Sequence, residues 1–278
     1  MTLIRVAHSP DSDDAFMFYA LAERLIDTGE LEFEHVLRDI ETLNQAAFEG
    51  RYEITAVSIH AYAYLDERYA LLSSGASMGE GYGPLVVARR PLDEAELAGV
   101  EVAVPGALTS AALALRLWNP ALRTVVRPFD EIVPAVVAGE LAAGVVIHEG
   151  QLTWREEGLH ALVDLGVWWG EQTGGLPLPL GGNVVRRDLG DEMVRRLARL
   201  LRQVVEYALA NREAALDHSL RYARGLDRAT ADRFVGMYVN QRTVDYGERG
   251  RQAVRLFLER AHQAGLIPRV PRLDFVAG

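Results

Sequence analysis

Residues 43–61, LNQAAFEGRYEITAVSIHA, and residues 133–150, VPAVVAGELAAGVVIHEG, carry the same order of signals. Each runs from a helix-like apolar stretch through a glycine and a short polar spacer into a strand. The strands end in polar residues, Ser58 in the first and His148 in the second. Ligands of open α/β sheets gather beyond the carboxyl ends of strands. The repeated pattern therefore predicts two similar lobes whose strand ends face one another across a cleft.

Working outward, strands are expected at Leu3–Ala7, Leu31–Leu37, Ile54–Ser58, Val100–Val104, Val125–Pro128 and Gly144–His148. Helical spacing is expected around Phe16, Tyr19, Ala20 and Leu25, over Ile40–Glu49 up to Gly50, over an aromatic run from Ala61 to Tyr69, and over Ile132–Gly139. The segment 163–187, VDLGVWWGEQTGGLPLPLGGNVVRR, reads as extended and rich in Gly and Pro. From Asp191 onward the chain is helical, with Met193, Leu197, Leu200, Leu201, Val204 and Leu209 as an apolar stripe. Alternating strand and helix gives α/β layers. The helical tail implies that the chain leaves one lobe, builds another and returns. The similar strands VVARR and NVVRR place the crossings near 88–92 and 182–187. One lobe is then 1–89 with 187–278, the other 90–186, and the substrate cleft lies between them.

The chain has 278 residues, of which 49% are hydrophobic and 24% charged, enough for a packed fold of two domains or one large one. A formal net charge of −10 argues against duplex nucleic acid as partner, which requires a basic footprint. The absence of cysteine excludes disulfides, thiolate catalysis and cysteine zinc sites. No apolar run approaches the ~20 residues needed to cross a bilayer, so no membrane span is expected. The opening MTLIRVAHSPDSDD reads as a strand rather than a signal peptide, and a cytoplasmic location is expected.

The motifs narrow the chemistry. DSDD at 11–14 fails as a calcium loop, because Phe16 and Ala22 stand where glycine and glutamate are required. Helix capping accounts better for Asp13 and Asp14. There is no H-E-x-x-H pair, no G-x-S-x-G around Ser58 and no Walker loop. GEGYGP at 79–84 reads as a tight turn before the strand at Leu85. PGALTSAAL at 105–113 brings Thr109 and Ser110 to a helix start, which suits a carboxylate or phosphate. An ordinary threonine N-cap explains the same residues. His148 is either a titrating site residue or a surface strand cap, with Glu149 as a candidate to orient it. Trp154, Trp168 and Trp169 line a pocket or pack in the core.

Several stretches, in order, carry a closer likeness. They are SPDSDDAFMFYAL (9–21), DIETLNQAAFEG (39–50), GYGPLVVARRPL (81–92), VAVPGALTSA (102–111), VVIHEGQLTW (145–154), DLGVWW (164–169), TGGLPLPLGG (173–182), RRDLG (186–190) and YVNQRTVDYGERG (238–250). Over residues 3 to about 268 the chain resembles the 1,4-dihydroxy-6-naphthoate synthase family of the futalosine route to menaquinone. The resemblance implies a two-lobe clamshell like the type II periplasmic binding proteins, with a helical C-terminal part. It implies cleavage of cyclic dehypoxanthine futalosine to 1,4-dihydroxy-6-naphthoate and dihydroxyacetone by general-base catalysis, with no metal or organic cofactor. The partner is then a small-molecule carboxylate substrate, and a homodimer stays open. The family's proton acceptor falls on His148, expected to rest neutral. Its substrate contacts fall on Ala56, Val57, Ser58, Thr109 and Ser110, with Asn44 and Asp14 as further cleft residues. Relatives often carry lysine where this chain has Ala56, so any contact there comes from the main chain. Ile59-His60 and the doubled Gly174-Gly175 also depart from the family pattern. Two alternatives share the fold: a binding protein for small carboxylates, and chorismate dehydratase, in which the IHEG histidine is not expected.

Overall fold

Buried aliphatic runs form the middles of two separate sheets in the computed structural model, which describes residues 2–278. The first sheet contains β1 (Thr2–His8), β2 (Leu31–Leu37), β3 (Ile54–Ser58), β4 (Tyr69–Leu72), β5 (Ser77–Gly79), β11 (Leu178–Arg186) and β12 (Phe275–Val276). Its order is β12-β4-β11-β3-β1-β2, with β5 paired to β11 as well. β1 lies parallel between β2 and β3, whereas β11 runs antiparallel to β3, β4 and β5. The second sheet has β6 (Leu85–Ala88), β7 (Glu101–Val104), β8 (Arg123–Val126), β9 (Ala143–Val146) and β10 (His160–Asp164), in the order β10-β6-β9-β7-β8. β7 is parallel to β8 and β9, and β6 is antiparallel to β9 and β10. This mixed α/β, two-sheet architecture with a helical C-terminal part is the one expected. We call each sheet with its covering helices a lobe.

The central strands are covered on both faces, so every residue of β9 is buried, as are Ile54 and Val57 of β3. The helix Asp191–Ala210 lays Leu197, Leu201 and Val204 on Ile4, Val6 and Phe16 of the first lobe. The helix Gly247–Gln263 packs Val254, Phe257 and Leu258 into the second large cluster, which also contains Val57, Val104 and Leu113. The cores of the two lobes are therefore continuous beneath the cleft.

Two elements differ from expectation. The aromatic helix over Ala61–Tyr69 is instead one turn, Ile59–Tyr62, followed by turns and then β4. Tyr69 to Leu71 pair with β11 and are fully buried, and that pairing outweighs any helical spacing. DLGVWWGEQT is not extended but contains the helix Leu165–Thr173. Asp164 caps it by accepting from the N–H groups of Gly166 and Val167, and Gly174 ends it at φ +66°. Trp169 is fully buried and donates to Pro177 O, and Trp154 packs in the second lobe with Leu85. The tryptophans follow the packing reading.

The sheet changes also fall earlier than VVARR and NVVRR. VVA already pairs with β9 and β10 in the second sheet, and NVV pairs with β3 and β4 in the first. The connections are residues 80–84 and 174–177. The first of them runs against the start of the helix Leu165–Thr173. A Cβ on Gly166 would stand 1.9 Å from Tyr82 O, and one on Gly83 would stand 2.7 Å from Gly166 N. Leu165 N donates to Pro84 O at 3.0 Å. Only glycine lets these backbones approach so closely.

Candidate active site

Several segments meet at one cavity of about 130 Å³ between the lobes. The loop after β1 brings Ser9, Asp13 and Asp14, β3 brings Ala56, Val57 and Ser58, and β11 brings Leu180 to Asn183. From the other side come the first turn of the helix Ser110–Trp118, with Thr109, and the turn after β9, with Ile147 and His148. The C-terminal helix Arg228–Tyr238 closes the space with Phe234 and Tyr238. The expected residues His148, Ala56, Val57, Ser58, Thr109 and Ser110 thus share one cavity, and Asp14 joins them. Asn44 is fully buried behind it and does not line it.

His148 lies two residues beyond the end of β9, in a left-handed backbone conformation at φ +55°. That conformation turns the ring into the cavity. Nδ1 stands 3.0 Å from Asp11 Oδ2, and the edge of the ring meets Phe129 with centroids 4.9 Å apart. Nε2 is left for the cavity. Asp11 is only 1% exposed and pairs also with Arg224. Burial alone would push the imidazole pKa down. The charge and hydrogen bond of Asp11, together with Glu149 and Asp13, outweigh burial and raise it to about 9. Burial acts on the Asp11 carboxyl in the opposite sense, yet His148 and Arg224 hold it below the usual carboxylate range. The raised pKa runs against the expectation of a neutral resting imidazole; the expected nearby acceptor is present, but it is not the candidate Glu149. Asp11 is the partner, and Glu149 turns instead to Arg224, its Oε2 3.1 Å from Nη1.

Asp13 and Asp14 do not cap their helix. The N-cap of Ser12–Met17 is Asp11, which makes no side-chain cap bond, and Asp14 Oδ2 accepts from Ser9 N at 2.7 Å. Burial, then repulsion from Asp14 and Asp11, pushes the Asp13 carboxyl well above the usual range, and its Oδ1 has no partner among the described residues. Burial raises Asp14 to about 6 despite the Ser9 bond. The site therefore sets buried acids with raised pKa beside the imidazole, an arrangement suited to moving protons.

The hydroxyl pair is already engaged. Thr109 Oγ1 donates to Gly106 O and accepts from Ala112 N at 3.2 Å, the ordinary N-cap. Ser110 Oγ donates across the cleft to Leu180 O at 2.6 Å and accepts from His60 N. What this helix offers the cavity is its first free amides, those of Ser110 and Ala111. Ser58 differs: its Oγ accepts from Asn44 Nδ2 at 3.1 Å, which leaves its own proton for the cavity. At Ala56 only a methyl group and the main chain are present. No three histidine or acidic side chains among the described residues are grouped as metal ligands.

Sequence reading missed Asp11, Arg224, Gln151 and Tyr238. Asp11 carried a signal, since it lies three residues beyond the carboxyl end of β1. Tyr238 carried none; its hydroxyl donates to Gln151 Oε1 at 2.6 Å, a pairing created by the fold.

A family model described as menaquinone biosynthesis matches residues 4–263. A 1,4-dihydroxy-6-naphthoate synthase of Thermus thermophilus is 45% identical over 277 residues, covering 99% of this chain and all of that protein. The enzyme of the same name from Streptomyces coelicolor is 40% identical over 95% of each chain. A crystal structure of a protein from Archaeoglobus fulgidus superposes with a TM-score of 0.91 at 48% identity, covering 95% of this chain and 98% of that one. The alkanesulfonate-binding protein SsuA of Xanthomonas axonopodis, bound to MOPS, shares the fold at 13% identity, with a TM-score of 0.72 over 98% and 96% of the chains. On the family model and the two enzymes, this chain belongs to the menaquinone biosynthesis family.

Proposed function

We propose that the chain is a 1,4-dihydroxy-6-naphthoate synthase, a lyase that cleaves cyclic dehypoxanthine futalosine to 1,4-dihydroxy-6-naphthoate and dihydroxyacetone with His148 as general base. The observation that carries the reading is the imidazole of His148, held from behind by buried Asp11 and presenting Nε2 to the cavity. Two enzymes of that name align with this chain at 45% and 40% identity. The dihydroxyacetone product and a cytoplasmic location rest on family resemblance. Among the described residues, no helix is long and apolar enough to cross a membrane.

In this reading the substrate carboxylate lies at the free amides of Ser110 and Ala111, where the positive end of the helix favours an anion. Ser58 donates its proton to the opposite end of the substrate. Neutral His148 takes a proton from the sugar-derived part. The electrons of the breaking carbon–carbon bond collapse toward the ring, which becomes aromatic, and aromatisation supplies the driving force. Asp11 keeps Nδ1 protonated and stabilises the imidazolium that forms, as the buried acid does in a Ser-His-Asp triad. With a pKa of about 9, only about one His148 in a hundred is neutral at pH 7. Turnover is therefore expected to rise with pH on the acid side of that value.

The test is incubation of the purified chain with cyclic dehypoxanthine futalosine, following 1,4-dihydroxy-6-naphthoate by absorbance and mass. Tight binding without product would sink the lyase reading in favour of a binding protein. Consumption of chorismate instead would favour the dehydratase.

A further inference from the structure

Among the described residues, three non-glycine positions have left-handed backbone, and two of them, His148 (φ +55°) and Arg224 (φ +49°), converge on one carboxylate. Such strain persists only where the surroundings hold it, and it clusters at functional sites. Asp11 Oδ2 lies beside the imidazole, and Oδ1 forms an ion pair with the guanidinium without a well-aligned hydrogen bond. A second guanidinium nitrogen, Nη1, stands 3.1 Å from Glu149 Oε2. The guanidinium also lies over the Phe129 ring, 4.8 Å from its centroid, and that ring borders His148. Arg224 therefore touches two of the acids and the aromatic ring that frame the imidazole.

We propose that Arg224 is a positioning residue of this site: it shares Asp11 and Glu149 with His148 and so limits how tightly those carboxylates hold the imidazole's proton. This inference rests on His148 being the base. The acids around the ring are Asp11 from the loop after β1, Asp13 and Asp14 from the helix Ser12–Met17 and Glu149 beside it, and Arg224 from the C-terminal part contacts two of them, Asp11 and Glu149. Acids outnumber cations in that set, and a base surrounded only by acids keeps its proton and idles. A guanidinium is charged at every working pH, so its opposition to the imidazolium is constant. Its fork also fits two carboxylates at once, which a lysine ammonium matches poorly.

The experiment uses full-length Arg224→Gln and Arg224→Lys. Two quantities are read: the pH dependence of kcat/KM with cyclic dehypoxanthine futalosine, and the titration midpoint of His148 by imidazole 15N NMR, assigned by difference from His148→Gln. Arg224→Gln is expected to move both the midpoint and the acid limb of the profile to higher pH. At pH 7 kcat/KM falls about tenfold, and activity returns as pH rises. Arg224→Lys restores most of the midpoint. An unmoved midpoint in Arg224→Gln overturns the inference even if activity falls, because a merely structural arginine would behave that way. If Arg224→Gln does not fold, Arg224→Lys is judged on the same criterion, with a partial shift expected. A shifted midpoint combined with full turnover by His148→Ala would leave the role of Arg224 standing and sink the reading of His148 as base.

Discussion

The side-chain amide of Asn44 holds Ser58 at two points: Nδ2 donates to Ser58 Oγ at 3.1 Å, and Oδ1 accepts from Ser58 N at 2.8 Å. Asn44 lies on the helix Ile40–Phe48, and Ser58 ends β3 at the cavity. The amide thereby fixes the direction of the Ser58 hydroxyl, whose proton is left for the cavity. Asn44→Ala leaves the buried Ser58 N–H unpaired, at a cost of about 1–3 kcal/mol of stability. It also frees the hydroxyl to rotate. KM is expected to rise several-fold with a smaller change in kcat, measured by steady-state kinetics beside thermal unfolding. An unchanged KM with lowered stability would remove Ser58 from the substrate contacts.

Removing the imidazole tests the chemistry itself. His148→Ala is expected to fold, since the ring lines a cavity rather than filling a core. Its turnover should fall by about 10²–10⁴-fold, the usual worth of a general base. Single-turnover kinetics with the futalosine derivative measure this. Near wild-type turnover would mean that another group takes the proton, and Asp13 or Asp14 would be examined next.

The same histidine leaves a signature in stability. Its pKa is raised in the folded chain to about 9, against about 6.5 unfolded. Its stabilising contribution is therefore complete below about pH 6.5 and is lost as pH rises through about 9. The difference in melting temperature between wild type and His148→Gln should be largest near pH 6 and vanish by about pH 10. Differential scanning fluorimetry across that range decides it. A difference that grows with pH would show that the imidazole is held neutral.

A contact across the cleft can be probed from the glycine side. Glu41 Oε2 accepts from Leu108 N at 3.3 Å, and a Cβ on Gly106 would stand 2.3 Å from the same oxygen. Gly106→Ala therefore displaces a flexible carboxylate end and costs little stability. It should remove the bond between the helix Ile40–Phe48 and the loop before Thr109. Substrate affinity is expected to weaken several-fold with melting temperature nearly unchanged, as calorimetric titration would detect. Unaltered affinity would relegate Glu41 to the surface.

Much of this was legible in the residues, for reasons that can be stated. The layers followed from strand and helix alternation, because burial of both faces writes itself into consecutive apolar residues such as those of β3 and β9. His148 stood out because a polar side chain interrupts that run at a strand end. The helix Leu165–Thr173 was hidden by flanking Gly and Pro, and its cap at Asp164 is a local signal that was overlooked. Asp13 and Asp14 were misread because acids at a helix start have a simpler explanation than burial in a cavity. Arg224 was out of reach. Its partners, Asp11 and Glu149, lie far away in the chain, and no periodicity announces a meeting of loops.

One consequence follows from the origin of the Asp11–His148 pair, whose members belong to opposite lobes. If His148 is the base, neither lobe alone holds it in its paired form. With the lobes parted, the imidazole would return to water and an ordinary affinity for protons, and compounds too short to bridge the gap would meet no reactive group. On the proposed reading, selectivity would rest on the closed pairing of the lobes: a substrate gripped by both halves meets the imidazole only where Asp11 holds it.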